Sequence, residues 1–145
     1  MKSVIFICTG NTCRSPMAEH ILKAKLNELG VLDVKVSSAG LYVYPDGSLT
    51  DMKAIRALKI LGITARRKKA RQFTDKMKKT SDFIITMTLR QKLEIFSNKV
   101  FTFGELTNSG DVDDPYQQSQ EVYDKIAFMI NLQMPALIKK LKLDK

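Results

Sequence analysis

Cys8 and Arg14 stand six positions apart in Cys8-Thr9-Gly10-Asn11-Thr12-Cys13-Arg14-Ser15, a run of small and polar residues. A short loop that wraps a tetrahedral anion turns several backbone N–H groups inward, and a helix starting at its end adds the positive end of its dipole. Gly10 and Asn11 are the types that best tolerate the left-handed conformations of such a nest. Arg14 can close the ring with a planar fork on two anion oxygens, a geometry lysine does not imitate. A field that binds a dianion also stabilises a thiolate at its centre, and reactive cysteines in such settings titrate at roughly 3.5 to 7.5 instead of about 8.5. Cys8 then needs no histidine partner to act as a nucleophile. A free cysteine alone is more often a small buried hydrophobe, but Gly10, Asn11, Arg14 and Ser15 around it turn the reading toward chemistry. For Cys13 a packed thiol and a redox partner for Cys8 both stay open. His20 reads as an ordinary surface or boundary residue.

Such a loop needs a strand to deliver it and a helix to receive it. Val4-Ile5-Phe6-Ile7 is a short apolar run that reads as a buried strand. Ser15-Pro16 reads as a cap followed by a first-turn proline, after which Met17, Ile21, Leu22, Leu26 and Leu29 keep helical spacing up to Gly30. Val34 to Ser38 alternates like a strand, and Ala39-Gly40 opens a loop through Pro45-Asp46-Gly47. Asp51 to Leu61 is helical, with Ala54, Leu58 and Leu61 on one stripe and Gly62 as its stop. Phe83 to Met87 and Val100 to Phe103 read as further buried strands, with a short helix from Leu89 to Phe96 between them. A polar loop from Thr107 to Asp114 leads into a long amphipathic helix carrying Val122, Ile126, Met129, Leu137, Ile138 and Leu141, which Pro135 should kink or break. Strands alternating with helices predict a single α/β domain over residues 1–145, doubly wound on a four-stranded parallel sheet. Ligands bind outside the carboxyl ends of such strands. The loop after the first strand and Asp113-Asp114-Pro115 after the fourth both lie at that end.

A chain of 145 residues with 44% hydrophobic and 27% charged positions excludes disorder and collagen-like structure. No apolar run approaches the roughly 18 to 20 residues that span a bilayer. The stretch after Met1-Lys2-Ser3 is too short for a signal peptide, so a cytoplasmic protein without a membrane is expected. Two cysteines and one histidine cannot build a disulfide framework or a Cys/His zinc site, and neither metal nor cofactor is expected. The balance of 24 Lys+Arg against 15 Asp+Glu, net +9, calls for an anionic partner. Much of the excess lies between Arg66 and Lys79, relieved only by Asp75. A solvated surface ranks above nucleic acid there, because Phe73 is the only aromatic on which a base could stack.

With its nine residues Cys8 to Pro16, the chain resembles the low-molecular-weight protein-tyrosine phosphatases. Asp114-Pro115-Tyr116 matches that family's second motif and Ser37-Ser38-Ala39-Gly40 its Ser-Ala segment. The order, cysteine near the N-terminus and Asp-Pro near the C-terminus, is also the family's. The resemblance implies that Cys8 attacks phosphorus, Arg14 holds phosphoryl oxygens, and Asp114, rather than Asp113, is the general acid, both lying at the mouth of the site. Thr9, Gly10, Asn11, Thr12, Cys13 and Ser15 would bind the phosphate, with Ser15 bonded to the Cys8 sulfur. Asn11 and Ser38 would brace the loop, and Tyr116 would support the entrance. Lys68 stands where many members have histidine, and Gln117 where relatives often show glycine or a second aromatic. Tyr42 or Tyr44 is a candidate aromatic wall, with boundary packing as the alternative. No cysteine follows Cys13, which removes the relay of the arsenate reductases that share the fold. A bare anion or nucleic-acid binding module has no need of a central cysteine and a distant Asp-Pro. Thr12 takes the place where tyrosine-directed relatives carry an aliphatic residue and the resembling bacterial protein-arginine phosphatases carry threonine. The substrate implied is a phosphorylated protein, with phosphoarginine ahead of phosphotyrosine, acted on by a monomer or a weak dimer.

Overall fold

In the computed structural model, which describes residues 1–45 and 47–144, the first apolar run becomes the central strand of a sheet. β1 (Lys2–Cys8) is buried from Val4 onward, as expected of a strand covered by helices on both faces. It pairs in parallel with β2 (Val34–Gly40) on one side and β3 (Phe83–Thr86) on the other. β4 (Val100–Thr102) adds outside β3, giving the order β2-β1-β3-β4. The direction in which strands are added reverses between β1 and β3, and the ligand crevice of an open parallel sheet lies at that reversal.

Two cores flank the sheet. Val4, Phe6 and Cys8 face a large one shared with α1 (Arg14–Glu28), α2 (Met52–Ile60), α5 (Phe103–Thr107) and α6 (Gln120–Lys140). Ile5 and Ile7 face a smaller one, closed by Phe73 and by Met77 of α3 (Asp75–Thr80). α4 (Leu89–Leu93) connects β3 to β4. No described helix is long and apolar enough to cross a membrane.

Several boundaries differ from the sequence reading, each for a physical reason. Ser15 is not the cap of α1: Cys13 holds that position without a side-chain bond, and Ser15 is inside the helix with its hydroxyl committed to Cys8. Ala39 and Gly40 continue β2 instead of opening a loop, because they stay in register with Ile7 and Cys8. Phe103 leaves the fourth strand to begin α5, where the Thr102 hydroxyl accepts from the Glu105 N–H and the Glu105 carboxylate accepts from the Thr102 N–H, both at 2.8 Å. That reciprocal pair is the Thr-x-x-Glu capping box. Leu29 and Phe96 are exposed and belong to neither helix stripe. α6 runs unbroken through Pro135, which sits on the exposed side where water can satisfy the carbonyl it leaves. Its buried stripe is Tyr123, Ala127, Ile130, Met134, Leu137 and Ile138. Met129 is 49% exposed, so apolar type alone misplaced the stripe. Asp46 of the expected turn lies outside the described residues, as does Lys145.

Gly40 stands where β2 meets the loop after β1. A Cβ there would lie 2.8 Å from the Thr9 carbonyl oxygen, 2.9 Å from Val43 Cγ2 and 3.0 Å from the Asn11 nitrogen. Two of these neighbours are backbone and cannot swing aside. Gly40→Ala is expected to cost about 1 to 3 kcal/mol, the usual effect of overpacking. The measurement is a urea titration, in which the midpoint falls at constant m-value; an unchanged midpoint would show that the loop yields freely.

Candidate active site

Cys8 ends β1 at the carboxyl edge of the sheet, and the chain curls from it through Thr9 to Cys13 into α1. The loop turns its carbonyls outward. Those of Cys8 and Thr9 accept from the N–H groups of Leu41 and Tyr42 at 3.0 and 2.9 Å, and that of Thr12 from Asp51 at 2.9 Å. Among the described residues, the N–H groups of Gly10, Thr12, Cys13 and Arg14 find no acceptor. Asn11 donates to Cys8 Sγ at 3.3 Å, and Ser15 Oγ lies 3.0 Å from the same sulfur. Asn11 supplies the left-handed residue, with φ +58°. Gly10 has no positive φ, and a Cβ there would meet nothing nearer than Thr12 Oγ1 at 3.9 Å. Its expected conformational role is therefore corrected.

A chain of polar side chains runs back from the sulfur into the protein. Asn11 Nδ2 donates to Ser15 Oγ at 2.8 Å and to Ser38 Oγ at 3.0 Å, while Asn11 Oδ1 accepts from the Arg71 N–H at 2.9 Å. Ser38 donates in turn to Glu19 Oε1 at 2.6 Å. Glu19 is 1% exposed and is held by Lys23 and Lys68 as well. The direction of every proton follows from that carboxylate, which can only accept. Ser38 must give it a hydrogen and so accepts from Asn11; Ser15 accepts from Asn11 and keeps its own hydrogen for Cys8. Lys68, at the position where the family resemblance expected histidine, is one of the two cations that hold this anchor.

Arg14, 5% exposed, donates from NH1 to the Val112 carbonyl at 3.0 Å, and its NH2 lies 3.7 Å from Asp114 Oδ2. Asp114 Oδ1 accepts the Tyr116 N–H at 3.1 Å, a turn that keeps the half-exposed carboxylate beside the arginine. Asp114 and Tyr116 line a cleft of about 590 Å³ together with Cys8, Thr9, Gly10 and Thr12. Asp113 does not share it. It borders a smaller recess with Phe103, Val112 and Ile130, so the expectation that both aspartates stand at the mouth holds for Asp114 alone. Tyr42 and Tyr44 both line the cleft. Gln117 takes a left-handed φ of +63°, a conformation glycine adopts without penalty.

Cys13 is bound differently from Cys8. The Tyr123 hydroxyl donates to Asp51 Oδ2 at 3.1 Å, so its oxygen is free to accept the Cys13 thiol 3.3 Å away. Burial pushes the Cys13 thiol up from its ordinary value, and burial with the adjoining Cys13 and Asp51 pushes the Tyr123 phenol well above its own. His20 is a boundary residue, as expected, and burial lowers its imidazole.

Glu19, Gly40, Asp51, Gln91 and Tyr123 are the supporting residues that the sequence reading missed. Gln91 carries its side-chain amide 3.2 Å from Thr9 Oγ1. For Glu19 a signal existed: a carboxylate one turn after Ser15, between Ala18 and Ile21 on a buried stripe. Burial opposes its ionisation, but the hydrogen bonds from Lys23, Lys68 and Ser38 outweigh burial and hold the carboxyl below the ordinary 4.5. A carboxylate depressed in the fold adds stability that is complete above its unfolded value and is lost as pH falls through the lowered native one. Glu19→Gln is expected to flatten the acid limb of the stability profile below pH 4.5. Equal slopes for wild type and variant would assign that acid sensitivity to other groups.

Comparison with known proteins shows the family and the fold. Residues 3–145 match the family described as low molecular weight phosphotyrosine protein phosphatase. The chain is similar to the protein-arginine-phosphatase of Bacillus subtilis, at 37% identity over 150 residues and 98% of each chain. Among solved structures it is similar to a variant of the YwlE arginine phosphatase whose active-site serine is phosphorylated, with a TM-score of 0.88, 34% identity, and coverage of 97% of this chain and 95% of that one. It is also similar to the low molecular weight protein tyrosine phosphatase of T. tengcongensis, with a TM-score of 0.87, 36% identity, and coverage of 97% and 99%. The chain therefore belongs to the low molecular weight phosphotyrosine protein phosphatase family, whose members are cysteine-dependent hydrolases.

Proposed function

We propose that residues 1–145 form one phosphatase domain that removes phosphate from phosphorylated proteins in the cytoplasm, with phosphoarginine as the preferred substrate. The observation that carries the reading is a buried sulfur in a loop whose N–H groups at Gly10, Thr12, Cys13 and Arg14 find no acceptor among the described residues, at a cleft that Arg14 and Asp114 also line. In this reaction the Cys8 sulfur attacks phosphorus, and the S–P bond forms as the bond from phosphorus to the leaving nitrogen or oxygen breaks. Asp114 delivers the proton that the leaving atom needs. Arg14 and the loop amides of Thr9, Gly10, Asn11, Thr12 and Cys13 offset the negative charge of the trigonal phosphoryl group. The Ser15 hydroxyl, with its hydrogen aimed at Cys8, eases the departure of the sulfur. Water then attacks phosphorus while Asp114 takes its proton, the S–P bond breaks, and phosphate leaves.

Thr12 supports phosphoarginine over phosphotyrosine. It lines the cleft, where its hydroxyl can serve a polar guanidinium and its methyl is all it has for an aryl ring. The identity to a protein-arginine-phosphatase points the same way. Phosphotyrosine keeps support from Tyr42, Tyr44 and Tyr116, three exposed rings at the cleft against which an aryl group could stack. Nothing in the chemistry calls for a second copy, and a monomer or a weak dimer serves equally.

Turnover of matched phosphoarginine and phosphotyrosine peptides tests the preference directly, and a higher kcat/KM for phosphotyrosine would reverse it. Thr12→Ile is expected to lower kcat/KM for phosphoarginine, by an amount worth about 1 to 3 kcal/mol, while keeping or raising it for phosphotyrosine. A common factor for both would make Thr12 a scaffold residue. Asp114→Ala should slow a poor leaving group by roughly 100- to 10,000-fold and an activated aryl phosphate much less. A larger loss in Asp113→Ala would exchange the two roles.

A further inference from the structure

The basic segment after α2 is solvent-exposed, as its composition suggests, but its backbone is tied down. Ala70 N–H donates to the Ser48 carbonyl at 2.8 Å, Thr50 N–H to the Lys68 carbonyl at 3.0 Å, and Phe73 N–H to the Gly40 carbonyl at 2.8 Å. Leu49 and Lys69 form an antiparallel bridge, and Gly40 and Gln72 a parallel one. The segment is thus an extended ribbon zipped along the wall of the cleft, and extended backbone sends alternate side chains to opposite sides. Lys68 goes inward to Glu19. Its neighbours Arg67 and Lys69 are exposed, Arg67 among the residues lining the cleft and Lys69 with its side chain beside Gly47, the residue before the lining Ser48. Arg67 is anchored by its Nε, which donates to the Thr50 carbonyl at 2.7 Å, and neither residue has a carboxylate partner among the described residues. The acid on the same wall, Asp51, is already occupied by the Lys53 N–H at one oxygen and the Tyr123 hydroxyl at the other. Asp114, the other acid of the cleft, lies against Arg14.

We propose that Arg67 and Lys69 form a docking wall for acidic side chains flanking the phosphorylated residue of the substrate protein. The proposal rests on the phosphatase reading above and names the kind of protein that reaches the site. Residues two apart in an extended chain lie about 6.6 Å apart on one side. A substrate strand laid along the ribbon would present its own alternate side chains at the same spacing. Arg67 provides a fork for a carboxylate, and Lys69 a mobile charge further out. The same charges draw acidic segments toward the cleft and repel basic ones, so selection acts mainly on encounter and KM.

The test uses two phosphopeptides of one sequence, with glutamate or glutamine at alternate positions beside the phosphorylated residue. The wild type is expected to favour the acidic peptide by about three- to tenfold in kcat/KM, the scale of one or two exposed ion pairs, carried by KM. The preference should shrink between about 50 and about 500 mM salt. Arg67→Gln combined with Lys69→Gln should bring the ratio of the two peptides close to one, and Lys69→Gln alone should reduce it while leaving p-nitrophenyl phosphate turnover unchanged. A double variant that keeps the wild-type ratio, or a wild type that treats both peptides alike, overturns the proposal. If the double variant does not fold, the wild-type salt series decides: a preference that persists at high salt is not electrostatic docking and overturns it too. Salt-sensitive binding of a duplex oligonucleotide together with equal turnover of the two peptides would reassign the wall to nucleic acid. Failure of the wild type to hydrolyse p-nitrophenyl phosphate would instead remove the phosphatase reading, a result distinct from any peptide ratio.

Discussion

An amide ring around a sulfur holds its shape only if each peptide in the ring is prevented from flipping. In this protein the constraint comes from a single buried carboxylate. Glu19 accepts from Ser38, Lys23 and Lys68, and because it has no hydrogen to give, every group between it and Cys8 has one orientation available. Two cations beside a buried acid offset the cost of taking it out of water. The result is that Asn11 is clamped at both ends of its amide while its backbone holds the left-handed turn on which the loop depends.

Each remaining part of the loop is tied to a different element. Leu41 and Tyr42 after β2, Asp51 at the start of α2 and Gln91 of α4 all reach it. The register that pairs Cys8 with Gly40 brings the first two to it, and only a residue without a Cβ permits that approach. Asp51 does three things at once: its N–H closes on the Thr12 carbonyl, one carboxylate oxygen caps α2, and the other receives Tyr123 of α6. The carboxyl edge of the sheet is thereby linked to the helix farthest from it in sequence.

Much of this is legible in the amino-acid sequence. A run of apolar residues ending in Cys-x5-Arg specified strand, loop and helix, and the alternation of elements specified the parallel sheet. The roles of Asn11, Ser15 and Ser38 as neighbours were likewise accessible, since they lie on the motifs themselves. What escaped were features decided by tertiary contact. Ser15 has the composition of a cap, but its hydroxyl is worth more beside Cys8 than at a helix end. Gly10 looked like the conformationally special glycine, while the steric need lay at Gly40, on another strand. Met129 is as apolar as Met134, and only the packing of α6 against α1, α2 and α5 distinguishes them. Lys68 read as one more charge in a basic tract because its partner, Glu19, lies far away in sequence.

The link through Tyr123 bears on how the molecule opens. Binding loops usually belong to the least protected parts of a protein and fluctuate without the core unfolding. Here the loop backbone is bonded to a phenol with 0% exposure in the main core, by way of Asp51 and of Cys13. Partial opening of α6 would strip both contacts together. Amide hydrogen exchange at Asn11, whose N–H donates to the Cys8 sulfur, should therefore follow the opening of α6 and not an excursion of the loop alone. The loop after β1 is bonded into the main core although it ends at the surface.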